Sequence, residues 1–264
     1  MVELYQFKYS SYCEKVCLIL DYKGIDYRKI DVTPGMGQVD VYRLSGQRQV
    51  PVLKDGEQVI SDSTAIAKYL DETYPTKPII PLEVKAKGLS LMMEEWADEA
   101  IVPNARKLVL LALRGDTEFR TGWLPSGTPD IVKNIIGSVP GEVFDAVGAG
   151  VGVGPDAIAA AKRSLHQDLE SLCLILSDSP YLTGNEPTLA DFAVASASIY
   201  LKIPRGNYLD IPSSVQGRGI PGIADNLDYA PFFEWRDRLY AEVRSTTPPS
   251  GGSAGDGPTP ITID

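Results

Sequence analysis

Histidine is nearly missing from this chain: one copy, His166, serves 264 residues. A Ser-His-Asp triad would have to use it, and no group of His, Cys, Asp and Glu has metal-ligand spacing, so no metal is expected. Cysteine is scarce too. Cys13, Cys17 and Cys173, an odd number in a long chain, do not make a disulfide framework, and a reducing cytoplasm is the expected location. No apolar run approaches the ~18 residues of a membrane span. The N-terminus reads as a strand without a signal-peptide pattern. Positive charge is in deficit: 25 Lys and Arg against 35 Asp and Glu leave a net charge of −10. That balance argues against nucleic acid or an anionic membrane surface as the main partner. Internal repeats are lacking as well.

What is present begins with a strand, a turn and a helix. Val2-Glu3-Leu4-Tyr5-Gln6-Phe7 alternates polar and apolar residues and is rich in β-formers. Val16, Ile19, Leu20 and Tyr22 then recur at helical spacing up to Gly24, a helix stop. Ser10 and Ser11 fall at the turn, where serine is a favoured N-cap. The same turn gathers unpaired N–H groups and the positive end of a helix dipole, which favour an anion, a thiolate included. With Cys13 three residues further on, the turn reads either as a plain cap or as a sulfur-handling site.

The pattern continues with a strand over 26–32, a short helix ending near Leu44, a strand over 50–53, a hairpin turn at Asp55-Gly56 and a strand over 58–60. Asp62-Ser63 caps a helix carrying Ile66, Tyr69 and Leu70 on one face. Tyr74-Pro75-Thr76-Lys77-Pro78 reads as a linker. From Leu82 the pattern is almost wholly helical: a long helix over 84–114 with a kink at Pro103, then helices over 155–176, 188–201 and 231–243. Residues 115–154 follow no single pattern. Within them, Gly148-Ala149-Gly150-Val151-Gly152-Val153-Gly154 lacks the Lys-Ser/Thr of a phosphate loop and reads as a connection or a close helix contact. The expected division is residues 1–76, residues 82–245, and a disordered Pro/Gly/Ser-rich tail over 246–264.

Three pieces combine: Ser10 opening the first helix, Val50-Pro51 opening the third strand and Asp62-Ser63 opening the third helix. The run Gln49-Val50-Pro51-Val52-Leu53, followed by Ser61-Asp62-Ser63-Thr64-Ala65-Ile66-Ala67-Lys68-Tyr69-Leu70, resembles the glutathione transferase superfamily. Gly184 and Thr188-Leu189-Ala190-Asp191 look like that family's structural Gly-x-x-x-Thr-x-Ala-Asp motif, which has capping-box spacing. The resemblance implies an α/β thioredoxin-like N-terminal domain plus an all-α C-terminal helical domain. It implies glutathione as co-substrate, a small-molecule electrophile as the second substrate, and a homodimer. Carried over by position, Pro51 is cis and Val50 offers its backbone to the cysteinyl part of glutathione. Ser63 and its helix N-terminus hold the γ-glutamyl carboxylate, Asp62 attracts the α-ammonium, and Arg48 or Gln49 reaches the glycyl carboxylate.

The group that acts on sulfur stays open among Ser10, Ser11 and Cys13. Serine-type members of the family place the active hydroxyl six residues before the helix valine, which is Ser10 here. The proline often found next is replaced by Ser11, which leaves Ser11 as a rival. Tyr5 and Tyr9 are candidates for a tyrosine-type enzyme, with Tyr5 better suited to the core. Cys17 and Cys173 read as packing residues. Glu94, Trp96, Asp98 and Arg106 lie on the helix that lines the electrophile pocket in the family, on faces the sequence does not reveal. Two other functions compete with transfer: a thiol–disulfide oxidoreductase using Cys13, whose partner cysteine at position 10 is missing, and a non-catalytic binding or assembly protein on the same fold.

Overall fold

Alternation in the first strand, β1 (Val2–Gln6), sends neighbouring side chains to opposite faces of a sheet, and the packing follows from that. The structure, a computed structural model, describes residues 1–244 except 34, 36, 125–127, 144–152, 207 and 210. β1 runs parallel to β2 (Tyr27–Asp31) and antiparallel to β3 (Val52–Asp55), which pairs in turn with β4 (Gln58–Ser61), giving the order β2-β1-β3-β4. Leu4 faces Leu53 across the β1–β3 pair, and both are buried in the main core. Tyr5 faces Val52 one residue along, on the opposite side. There they join Val32 and Val41 in a smaller cluster. β3 starts at Val52 rather than at Val50 because Pro51 has no N–H to give a ladder.

Helix α1 (Ser11–Lys23) is capped by Ser10 and ended by Gly24, whose φ of 69° is the left-handed conformation glycine adopts freely. α2 (Gly37–Ser45) covers the smaller cluster through Val41, and α3 (Ser63–Thr73) packs with α1 on the other face. This is the thioredoxin-like arrangement. The linker that follows is tied down. Lys23, fully buried, donates to the carbonyls of Tyr74, Thr76 and Lys77 at 2.9–3.3 Å and pairs with Asp71 at 2.9 Å.

The expected long helix is divided. α4 (Val84–Trp96) passes into a π-helical turn (Ala97–Ile101) before α5 (Val102–Gly115) begins. Pro103 would push its ring against the carbonyl of residue 99 in an unbroken helix, and a π-turn ahead of it is one way to relieve that clash. α6 (Thr117–Gly122) and α7 (Asp130–Gly137) occupy the stretch without a clear sequence pattern. Arg120 joins them to α5: it is buried and donates to the carbonyls of Leu113 and Arg114 at the end of α5 and of Ile136, Gly137 and Val139 at and just past the end of α7. Residues 148–152 of the glycine run and the tail over 246–264 lie outside the described residues.

α8 (Pro155–Asp178), α9 (Leu189–Ala197) and α10 (Ala230–Arg244) complete the helical part. α9 is buried along its whole length between α1 and α4, as a helix apolar on every face must be. Its start is a capping box: Asp191 accepts from the N–H of Thr188 and of Leu182, both at 2.8 Å. The helix expected over 188–201 tightens into a 3-10 turn at Ser198–Tyr200, where Ser196 and Ser198 hydroxyls donate back to Ala193 and Ala195 carbonyls. Cys173, expected in the core, is half-buried, and its neighbour Leu174 is exposed, because only the Leu165–Leu169–Leu172 stripe of α8 turns inward.

Candidate functional site

The β1–α1 turn, the chain entering β3 and the start of α3 converge on one cavity of about 710 Å³. Its walls include Ser10, Gln49, Val50, Pro51, Asp62 and Ser63 from the sheet domain and Asp98, Arg106 and Tyr200 from the helical one. The three sequence pieces therefore meet in space. The Val50–Pro51 bond is cis.

Ser10 caps α1. Its Oγ accepts the N–H of Cys13 at 3.4 Å, its own N–H donates to Phe7 O at 2.9 Å, and its carbonyl receives Glu14 N–H at 2.9 Å. Its own proton faces the buried Cys13 thiol, a weak acceptor whose thiolate that contact favours, and Ser10 also lines the cavity, where a stronger acceptor would compete for the proton. Ser11 is different. It is 1% exposed, lies behind the cavity wall, and its Oγ has no partner, while its N–H donates to Tyr200 Oη at 3.2 Å.

Cys13 is a correction to the expectation of an acidic thiol at a helix start. It is 1% exposed, its Sγ accepts the N–H of Phe7 at 3.5 Å, and burial pushes the thiol up to about 12, outweighing the hydrogen bonds from Phe7 and Ser10 that favour the thiolate. Burial also raises Cys17, to about 11. Tyr5 is in the smaller core cluster, as its place on a strand suggested. Tyr9 lines the cavity with its hydroxyl donated to Leu124 O at 3.0 Å and its ring against Phe7 and Trp123.

Asp62 sits at φ 77°, a backbone region costly for a non-glycine residue, on the order of 1–3 kcal/mol. Held there, its Oδ1 accepts from both Thr64 N–H (3.0 Å) and Ala65 N–H (2.9 Å), so the second oxygen remains for another donor. Ser63 follows as the first residue of α3, where helix N–H groups and the dipole favour an anion. Arg48 lines the same cavity, its guanidinium 5.8 Å from the Tyr42 ring centre.

The helical wall divides the long-helix candidates. Asp98 and Arg106 line the cavity. Glu94 is buried beneath it, and Trp96 packs partly buried against the core. Lys15, fully buried on α1, donates to Glu94 Oε1 at 2.6 Å and to Asp98 Oδ2 at 2.5 Å, and Thr64 Oγ1 donates to the same Glu94 oxygen at 2.5 Å. Burial raises Asp98 to about 6, against the lowering influence of Lys15. Lys15 and Tyr200 were not among the sequence candidates. The only signal for Lys15 was a charged residue beside the buried stripe of α1; Tyr200 gave none. Tyr200 Oη is saturated: it donates to Tyr9 O at 2.8 Å and accepts from Ser11 and Arg106. Among the described residues no His/Cys/Asp/Glu group is arranged to hold a metal, and no helix is long and apolar enough to cross a membrane.

Comparison with known proteins agrees with this geometry. Residues 4–78 match the family described as glutathione S-transferase, N-terminal domain. A wheat (Triticum aestivum) glutathione S-transferase is 36% identical over 94 residues, 36% of this chain and 44% of that one. A zeta class glutathione S-transferase of Euphorbia esula is 34% identical over 112 residues, 41% of this chain and 50% of the relative. The chain thus spans about half the length of the curated relatives it matches. Among solved structures, the theta class glutathione S-transferase of Xanthomonas axonopodis pv. citri with glutathione bound superposes with a TM-score of 0.57, covering 91% of this chain and 95% of that one. At 20% identity that likeness concerns the fold. A thioredoxin-like domain followed by a helical one, with this N-terminal match, defines the class. Residues 4–78 belong to the glutathione S-transferase N-terminal domain family, and the chain as a whole has the glutathione transferase fold.

Proposed function

We propose that this protein is a cytoplasmic, homodimeric glutathione transferase that ionises bound glutathione and joins it to a small apolar electrophile, or reduces peroxides with the same thiolate. The observation that carries the reading is Ser10: a helix-capping hydroxyl whose proton faces a thiol, a weak acceptor, in the cavity that Val50, Asp62 and Ser63 also line.

In this reading the γ-glutamyl carboxylate lies at the N-terminus of α3 by Ser63, the α-ammonium meets the free oxygen of Asp62, and Arg48 or Gln49 takes the glycyl carboxylate. The cysteinyl backbone pairs with Val50. Ser10 then donates to the sulfur. A hydrogen bond to a charged group contributes about 1.5–3 kcal/mol. At 1.36 kcal/mol per unit, that lowers a thiol near 8.5 by roughly one to two units, enough to bring the thiolate near half-population at neutral pH. Sulfur forms the new bond to the electrophilic carbon, the leaving group departs with its electron pair, and the thiol proton goes to solvent.

Burial of Cys13 weighs against the oxidoreductase alternative. The experiment is retention on immobilised glutathione followed by conjugation assays with a panel of electrophiles. Retention with turnover supports the transferase. Retention without any turnover favours the non-catalytic binding protein, and no retention overturns the assignment of Val50, Asp62 and Ser63.

A further inference from the structure

Most arginines in the helical part are spent on the fold. Arg120 is consumed by helix-end carbonyls, Arg236 by Ser198, Lys202 and Asp237, Arg244 by Glu14, Asp21 and Tyr208, and Arg218 by Asp116 and Glu118. Arg106 is not. It stands exposed on the cavity wall, its guanidinium 5.1 Å from the ring centre of Tyr12 and 5.3 Å from that of Tyr200. One N–H donates to Tyr200 Oη at 3.3 Å, and no carboxylate among the described residues lies within ion-pair distance. Nearby Asp98 is already engaged by Lys15.

Two aromatic faces fix a guanidinium without neutralising it. What remains is a planar fork of N–H donors, suited to a carboxylate taken side-on. The fork is also near the reacting centre. Arg106 and the N–H of Ser11, the residue after Ser10, share the Tyr200 oxygen, so they lie within two hydrogen-bond lengths of each other.

We propose that Arg106 selects anionic electrophiles, binding a carboxylate on the second substrate while glutathione occupies the Ser10 side of the cavity. The proposal rests on the transferase reading and gives its electrophile a carboxylate in place of a wholly apolar character. Glu95 and Glu99, on the same helical wall, work against an anion placed there away from Arg106, and Arg48 and the start of α3 are taken up by the glutathione carboxylates, which ties the preference to Arg106.

The test is binding by calorimetry, which needs no turnover. The probes are glutathione, S-(2-carboxyethyl)glutathione, its neutral carbamoylethyl isostere and the cationic S-(3-aminopropyl)glutathione. The expected result is that the carboxylate binds roughly tenfold or more tighter than the amide, as a charge-assisted pair does. That advantage should vanish in Arg106→Gln, partly return in Arg106→Lys, and leave the affinity for glutathione itself intact. Equal affinities in the wild type, an advantage that survives in Arg106→Gln, or tightest binding of the ammonium would each overturn the proposal alone. Loss of glutathione affinity in Arg106→Gln would show that Arg106 serves glutathione and overturn it too. No binding of glutathione by the wild type would overturn the transferase reading together with it.

Discussion

Lys15 donates to Asp98 at 2.5 Å, so the first turns of α1 are fastened to the π-turn that carries the helical wall of the cavity. The ammonium is fully buried and shared with Glu94, and Thr64 of α3 joins through Glu94. Three elements that line the site are thereby set against one another by a single charge.

Removing that charge should be severe. Lys15→Met leaves two carboxylates close together in the interior with nothing to offset them, and breaking a buried pair costs about 3–5 kcal/mol. The measurement is urea unfolding at neutral pH. Lys15→Met combined with Glu94→Gln and Asp98→Asn should recover most of the loss, since the uncompensated charges are then gone. Equal destabilisation of the single and triple variants would contradict this account.

Asp98 gives the cluster a pH dependence with a definite sign. Burial raises its carboxyl to about 6, above the unfolded value near 3.9, so the folded state holds the proton more tightly. Stability from this group is full below the unfolded value and is lost as pH rises through about 6. Unfolding followed from pH 4 to 7 should therefore show the wild type losing stability relative to Asp98→Asn as pH rises. A difference constant across that range would mean Asp98 titrates normally.

The thiols should be silent in the native protein. Cys13 and Cys17 are each 1% exposed and raised to about 12 and 11, so at pH 8 their thiolate populations are minute. Iodoacetamide followed by mass spectrometry should find both unmodified until denaturant is added, with half-buried Cys173 the first to react. Rapid native labelling of Cys13 would revive the oxidoreductase reading.

These contrasts show which parts of the site could be read in advance. The cap at Ser10 and the start of α3 at Asp62 were legible because each depends on a few consecutive residues: a strand, a short polar turn and a periodic helix. The acidity expected for Cys13 failed for the opposite reason. A helix start favours the thiolate locally, but the desolvation that overrides it comes from packing that no short window contains. Tyr200 and Arg106 reach the turn across most of the helical part, and their ring and hydrogen-bond contacts have no trace in spacing. Cys173 misled in a simpler way, because a run of apolar residues on a helix turns only one stripe to the core.

Assembly should follow from the surface of α4. Leu82, Val84 and Met92 are 95%, 84% and 62% exposed along the approach to α4 and on it, apolar side chains that a second copy would cover. Light scattering at micromolar concentration should give twice the chain mass, and Met92→Glu should shift it toward the monomer. A monomeric wild type would remove the homodimer from the proposed function.

The two serines give the sharpest test of the chemistry, because they are adjacent in sequence and opposite in setting. Ser10 lines the cavity and can turn its proton from the Cys13 thiol to a bound, charged sulfur, so Ser10→Ala should lower turnover roughly ten- to a hundred-fold, the equivalent of one lost bond to that sulfur. It should also raise the apparent pKa of bound glutathione, seen in the thiolate absorbance as pH is varied. Ser11 buries a hydroxyl without a partner, and replacing such a group by a methyl is neutral or stabilising. Ser11→Ala should therefore keep its turnover and unfold at the same or higher urea. If Ser11→Ala shifts the glutathione pKa and Ser10→Ala does not, the acting hydroxyl is Ser11, and the turn must open enough to bring it to the cavity.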